Sequence, residues 1–153
     1  MRKNSLVFLL TVLIFCPFKN WSQEIRGLSF VGTRDQVNQE HLIPIKERAA
    51  NWVALMPYGY MQSAQTPVVS YNTSWQWQGE TKNGIEQAVP FFERAGISVM
   101  LKPHIWIKGG VFTGIISFNS PEEWKQFQES YRQFILHFAQ LAEETNIPML
   151  CIG

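Results

Sequence analysis

The sequence predicts an α/β protein of parallel strands: the N-terminal half of a (β/α)8 TIM barrel, with four strands and three helices after a signal peptide. Three observations carry this. Four short apolar runs alternate with three helical stretches, an order that means parallel strands joined by right-handed crossovers. The long loops follow the second and third strands, at their C-terminal ends, whereas the loops after the helices are short. That asymmetry is typical of barrels, which need about 250 residues. The chain has 153, so its mature part is expected to be a barrel domain truncated at the end of strand four. A complete flavodoxin-like sheet is the rival. It would end with a strand and a helix, not at a bare strand end.

Residues 1–22 read as a secretory signal peptide. Arg2 and Lys3 form the basic start, an apolar segment covers residues 6–15, and Pro17 breaks it. Cleavage is expected after Ser22, before Gln23. The apolar run is short for a bilayer span, so no stable membrane insertion is expected after cleavage. Lipoprotein anchoring would use Cys16, but bulky Phe15 stands where a small residue is expected. The predicted address is therefore export, periplasmic or extracellular, and the domain is residues 23–153.

Residues 25–32 (IRGLSFVG) form the first strand, and residues 39–50 a short amphipathic helix. Residues 52–60 (WVALMPYGY) form the second buried strand, with a polar and aromatic end. Residues 61–81 are a long loop carrying Trp75, Trp77 and the pair Gly79-Glu80. Loops that long inside a compact domain are functional or disordered, and two tryptophans argue against disorder. They anchor the loop to the barrel or offer ring faces to sugars; the two readings stand level.

Residues 83–95 read as a helix, with Pro90 expected to kink it or mark an early boundary. Gly96 ends it. Residues 97–101 (ISVML) then form a strand buried on both faces. Its continuation turns polar, with Lys102, His104 and Trp106 at alternate positions, hence on one side. Ligands bind at the C-terminal ends of such strands, so this stretch is the first candidate site. For the Lys or the His alone, a merely solvated side chain and a site residue stand level; three at this alternation favour a site. Pro103 removes an N–H, so the regular strand is expected to end there.

Residues 108–119 form a second long loop. Ser120, Pro121 and Glu123 mark a helix start with a capping box. Trp124, Phe127, Tyr131, Phe134, Ile135, Phe138 and Leu141 then recur at helical spacing, a core-facing stripe. Asn146 and Pro148 break the helix, and residues 149–152 begin the fourth strand.

Charged residues are 16% and the formal net charge is +1, with no basic stripe, so no nucleic-acid footprint is present. Aromatic richness suits neutral, flat-faced ligands such as sugars, though a large core gives the same statistic. Once the signal is removed, Cys151 is the one remaining thiol and reads as a buried small hydrophobe. No Cys, His or carboxylate cluster has metal-ligand spacing, and neither metal nor cofactor is expected. His41 and His137 read as structural or solvated.

The sequence resembles glycoside hydrolase family 113. The matching stretches are ANWVALMPYG at 50–59, VMLKPH at 99–104, the Trp- and Gly-Glu-bearing loop, the helix over 124–143, and LCIG at 150–153. Leu-Lys-Pro-His at 101–104 is the most specific element. The resemblance implies a secreted barrel hydrolase that cuts β-linked polysaccharide, β-mannan being the substrate class, by a retaining mechanism. One carboxylate protonates the leaving oxygen and a second attacks the anomeric carbon. In such proteins the acid/base Glu closes strand four and the nucleophile closes strand seven. The acid/base Glu is thus expected just beyond Gly153, and no catalytic residue is expected within the chain.

What the resemblance leaves here is half of a binding surface. Lys102 and His104 would donate to sugar hydroxyls beside the cleaved bond. Trp106 and Trp77 would stack on pyranose faces, and Tyr58 would add a hydroxyl contact. Glu80 lies on the wrong loop for catalysis; it either braces the loop or binds sugar. The alternative function is a noncatalytic glycan-binding protein or gene remnant with the same fold. Taken alone the chain is expected to be inactive, and the half-barrel to self-associate through its open edges.

Overall fold

The computed structural model describes residues 24–152. The signal segment, Cys16, the cleavage position and Gly153 lie outside them. Within them the chain folds as β1 (Gly27–Phe30), α1 (Leu42–Glu47), β2 (Trp52–Leu55), β3 (Tyr58–Met61), α2 (Lys82–Arg94), β4 (Ser98–Leu101), β5 (His104–Ile107), α3 (Pro121–Glu144) and β6 (Met149–Leu150), with short 3-10 turns between. Strands β1, β2, β4 and β6 pair in that order as one sheet. Every pairing is parallel, as a barrel wall requires, and β1 and β6 form its edges.

Alternation along the strands sorts the side chains into two faces. Val53, Leu55, Val99 and Leu101 pack outward, where they meet Ile85, Val89 and Phe92 of α2 and Phe134, Phe138 and Leu141 of α3. Phe92, Phe134 and Phe138 are wholly buried; each contributes about 1.5–3 kcal/mol by leaving water. Trp52, Ala54, Met100 and Lys102 take the other face, the inner wall of the barrel, and line a shallow cleft there.

Helix α3 is set by its first turn. The Ser120 side chain accepts from Glu123 N at 3.2 Å, and Glu123 Oε2 accepts from Ser120 N at 3.1 Å. This reciprocal cap satisfies donors that a helix start leaves open. Only the C-terminal part of its aromatic stripe is fully buried, while Trp124 stays 40% exposed. Pro90 does not end α2, which runs on to Arg94. Pro90 is exposed, and the buried neighbours Val89 and Phe92 hold the turn through the lost hydrogen bond.

The main departure from expectation lies beyond Pro57 and Pro103. The regular strand β4 ends at Leu101, just before Pro103, as expected, but pairing resumes past it at His104. β3 and β5 form a second parallel pair directly beyond β2 and β4. Leu55 faces Leu101 and Tyr58 faces His104, the same offset, so Pro57 stands opposite Pro103. Lys102 N donates to Leu55 O at 2.8 Å and His104 N to Pro57 O at 2.9 Å, bridging the gap. In a parallel pair only alternate residues turn their N–H to a given neighbour. Pro103 therefore costs nothing on the β3 side. On the β6 side the ladder stops after Cys151 N donates to Leu101 O at 2.8 Å, because the next donor would be Pro103.

Candidate functional site

The β3–β5 extension carries the inner face past the sheet and changes its chemistry. Behind the prolines that face is Trp52, Ala54 and Met100; ahead of them it is Tyr58, Tyr60, His104 and Trp106. Tyr58 meets His104 edge-on with centroids 6.1 Å apart, and meets Trp106 at 6.1 Å. Tyr60 meets Trp75 of the long loop at 4.8 Å. Tyr58, Tyr60, Trp75 and Trp106, together with Val31, Gln76, Trp77 and Glu80, line a cleft of about 430 Å³, a size usual for small-ligand sites.

The long loop is ordered by its polar side chains. Thr73 N donates to Gln76 Oε1 at 2.9 Å, and Gln76 Nε2 donates to Tyr58 O at 2.9 Å, pinning the loop to β3. Gly79 N donates to Thr33 O at 2.9 Å and Gln78 N to Arg34 O at 3.2 Å. The 3-10 turn Gln78–Glu80 thus lies against the segment that leaves β1. That crossing requires glycine: a Cβ on Gly79 would sit 2.5 Å from Thr33 N.

The crossing delivers Glu80 to the cleft. It is 5% exposed, and its Oε2 accepts from the Tyr60 hydroxyl at 2.9 Å. Burial, the bond to Glu80, and the charges of Glu80 and Tyr58 together push the Tyr60 phenol well above its ordinary range. Burial and the Glu80 charge raise Tyr58. Both phenols therefore remain hydrogen-bond donors at neutral pH. The Arg34 guanidinium lies 5.5 Å from the Trp77 ring centroid, so one face of that ring is taken.

The six residues singled out in the sequence fall into two groups. Tyr58, Trp77, Glu80 and Trp106 line the aromatic cleft. Lys102 and His104 line a neighbouring cleft of about 330 Å³ towards β6, with Thr113, Tyr131 and Cys151. The Tyr58–His104 contact joins the two. Burial first, then the Lys102 charge, lowers the His104 pKa, so the imidazole is neutral at neutral pH and can both donate and accept. Trp75, which the sequence left level between loop anchor and sugar face, also lines the aromatic cleft, as do Tyr60 and Gln76, which had no role assigned from the sequence. The period-two spacing of Tyr58 and Tyr60 held a signal for Tyr60.

Among the described residues, no helix is long and apolar enough to cross a membrane.

No curated protein matches the chain. Solved structures do. Two structures of GH113 beta-1,4-mannanase, one of them a complex, are each 24% identical with TM-score 0.70, over 84% of this chain and 45% of the other chain. At that identity the likeness shows the fold. GH113 beta-mannanase AaManA from Alicyclobacillus acidocaldarius, in complex with ManMIm, is 26% identical with TM-score 0.69, over 84% of this chain and 44% of that one. The chain therefore spans just under half the length of these proteins. The profile of Glycoside Hydrolase Family 113 matches residues 29–153, a stretch that contains every strand and loop of the clefts except the start of β1, and the chain belongs to that family.

Proposed function

We propose that the protein is an exported, retaining glycoside hydrolase acting on a β-linked polysaccharide such as β-1,4-mannan, and that residues 23–153 supply one wall of its sugar site. The observation that carries this is the aromatic cleft at the C-terminal end of the parallel strands, with the Tyr58 phenol and the hydrogen-bonded Tyr60–Glu80 pair set between indoles. Sugars present apolar ring faces edged by hydroxyls, and a few directed polar groups between aromatic walls match that pattern.

Retaining hydrolysis needs two carboxylates about 5–5.5 Å apart. Among the described residues the aromatic cleft holds one carboxylate, Glu80, and Tyr60 engages it. Glu80 is accordingly given a positioning and binding role, and the chemistry is assigned to carboxylates outside residues 24–152. Lys102 and His104, in the adjoining cleft, serve as donors beside the cleaved bond.

The test is to incubate the full-length protein with β-1,4-mannan and other β-glycans, following reducing ends and the anomeric configuration of the first product by NMR. Release of the β-anomer supports the reading. Binding without release favours a noncatalytic glycan-binding protein, and neither binding nor release overturns both. Export is tested by sequencing the N-terminus of secreted material, which should begin near Gln23; a start at Met1 would sink it.

A further inference from the structure

Helix α3 carries a histidine that lines neither cleft. His137 is half-buried, with its ring 5.2 Å from that of Tyr71 and 4.9 Å from that of Phe138. Its Nε2 is buried and, among the described residues, has no hydrogen-bond partner. A neutral imidazole tolerates this, because one ring nitrogen carries a bare lone pair and the other the proton. An imidazolium does not. It would put an N–H where nothing accepts it, and an unmet buried donor is costly.

The charged groups around the ring come from both helices. Lys82, at the start of α2, donates to Glu144 at the end of α3 at 2.9 Å and lies 3.7 Å from Glu86. Burial first, then the Lys82 charge, lowers the His137 pKa, and the Glu144 charge opposes them. Hydrogen bonds from Lys82 and Gln140 hold the Glu144 carboxyl below its ordinary range, and the bond to Glu144 raises Lys82. Histidine is the side chain that titrates in mild acid, so His137 changes charge there while Lys82 and Glu144 keep theirs.

Tyr71 links this ring to the aromatic cleft. It also packs against Phe134 and Phe138, at 5.4 and 6.4 Å. The residues beside it are tied to three elements. Val69 N donates to the Ser130 hydroxyl of α3 at 2.8 Å, Ser70 N to Tyr60 O of β3 at 2.8 Å, and Lys82 N of α2 to Asn72 Oδ1 at 3.1 Å. Asn72 is held at φ +51°, a conformation that costs a residue other than glycine and persists where its surroundings enforce it. Thr73 and Gln76 follow at once and pin the loop to Tyr58, with Trp75 between them.

We propose that His137 is an acid-operated latch on the loop between β3 and α2. Neutral, it keeps Tyr71 seated on α3. Charged, its ring leaves Tyr71 for water, and the segment that carries Trp75 and Gln76 loosens and opens the aromatic cleft. The closed state holds His137 below its ordinary value of about 6.5, so the latch is at full strength above that value and is lost as pH falls through the closed-state one. The latch acts whatever ligand the cleft takes and is independent of the glycan reading.

The experiment is amide exchange of the full-length protein, read as protection factors from about pH 7.5 to about pH 5, beside an NMR titration of its imidazoles. Protection of the Ser70, Thr73 and Lys82 amides should fall at least about threefold in acid, while Val53 and Leu55 keep theirs. The fall should level off below the midpoint that NMR assigns to His137, and His137→Phe, which leaves a ring against Tyr71, should abolish it. Loop protection that ignores pH, a loss that Val53 and Leu55 share, a fall that follows His41 or His104 instead, or a folded His137→Phe that still responds would overturn the latch. Should that variant not fold, the match between the wild-type fall and the His137 midpoint decides alone.

Discussion

The Tyr60 hydroxyl donates to Glu80 Oε2 across 2.9 Å, joining strand β3 to the turn that precedes α2. A buried carboxylate is costly unless hydrogen-bonded, so this bond explains how Glu80 can face a cleft at 5% exposure. It also fixes the ring against which Trp75 rests edge-on.

Tyr60→Phe removes that donor and leaves a buried acceptor. The expected loss is about 1–3 kcal/mol of unfolding free energy, read by urea denaturation. Glu80→Gln keeps an acceptor for the phenol and should lose less. Equal stability of Tyr60→Phe and wild type would show that the bond braces nothing.

His104 titrates below the ordinary histidine value of about 6.5, because burial and Lys102 both disfavour its charged form. A depressed folded value means that its stability contribution is present above the ordinary value and is lost as pH falls through the folded one. NMR of the imidazole should show this, and Lys102→Met should move the midpoint up. An unmoved midpoint would exclude Lys102 as a cause. His104→Ala should lower turnover on glycans by about tenfold or more in a protein that still folds.

Gly79→Ala places a methyl against Thr33 N, where the backbone must shift. Overpacking of this kind costs about 1–3 kcal/mol. Displacing the 3-10 turn should also weaken glycan binding, since Glu80 moves with it. A variant with wild-type melting and binding would mean that the crossing has slack.

Residues 23–153 expressed alone should self-associate and release no reducing sugar from mannan. The edge strands β1 and β6 each have one open side among the described residues. Trp52 lies on the inner wall, and among the described residues its buried indole Nε1 has no hydrogen-bond partner. A monodisperse monomer with a sharp cooperative melt would refute the first claim; sugar release from pure material would refute the second.

The parallel order and the helices were legible because their signals are local. Ser120, Pro121 and Glu123 announce α3 within four residues, and the dry runs of β2 and β4 read as strands; β2 is buried on both faces, whereas in β4 Val99 and Leu101 are buried and Ser98 and Met100 only half-buried. The resumption of pairing past the prolines was not legible, because a local rule counts a lost N–H without asking which neighbour it faced. Pro103 faces β6, so its loss leaves the pairing with β3 untouched. The cleft was legible in part: Tyr58 and Trp106 at strand ends, and Trp77 and Glu80 on a long loop, could be singled out, and the period-two spacing would have added Tyr60. The contact of Gly79 with Thr33 and the bond from Tyr60 to Glu80 join segments distant in sequence, and no spacing encodes them.

The facing prolines, Pro57 and Pro103, have a dynamic consequence. Pro57 cannot donate to Lys102 O, so the ladder between the long strands is thinned at one level only. Such a seam lets the β3–β5 platform open without unzipping β2 from β4, as separate cooperative units do. Amide exchange should then divide there, with Gly59 and Met61 exchanging through a shallower opening than Val53 and Leu55. The aromatic platform would breathe around a passing sugar chain while the barrel wall behind it stays shut.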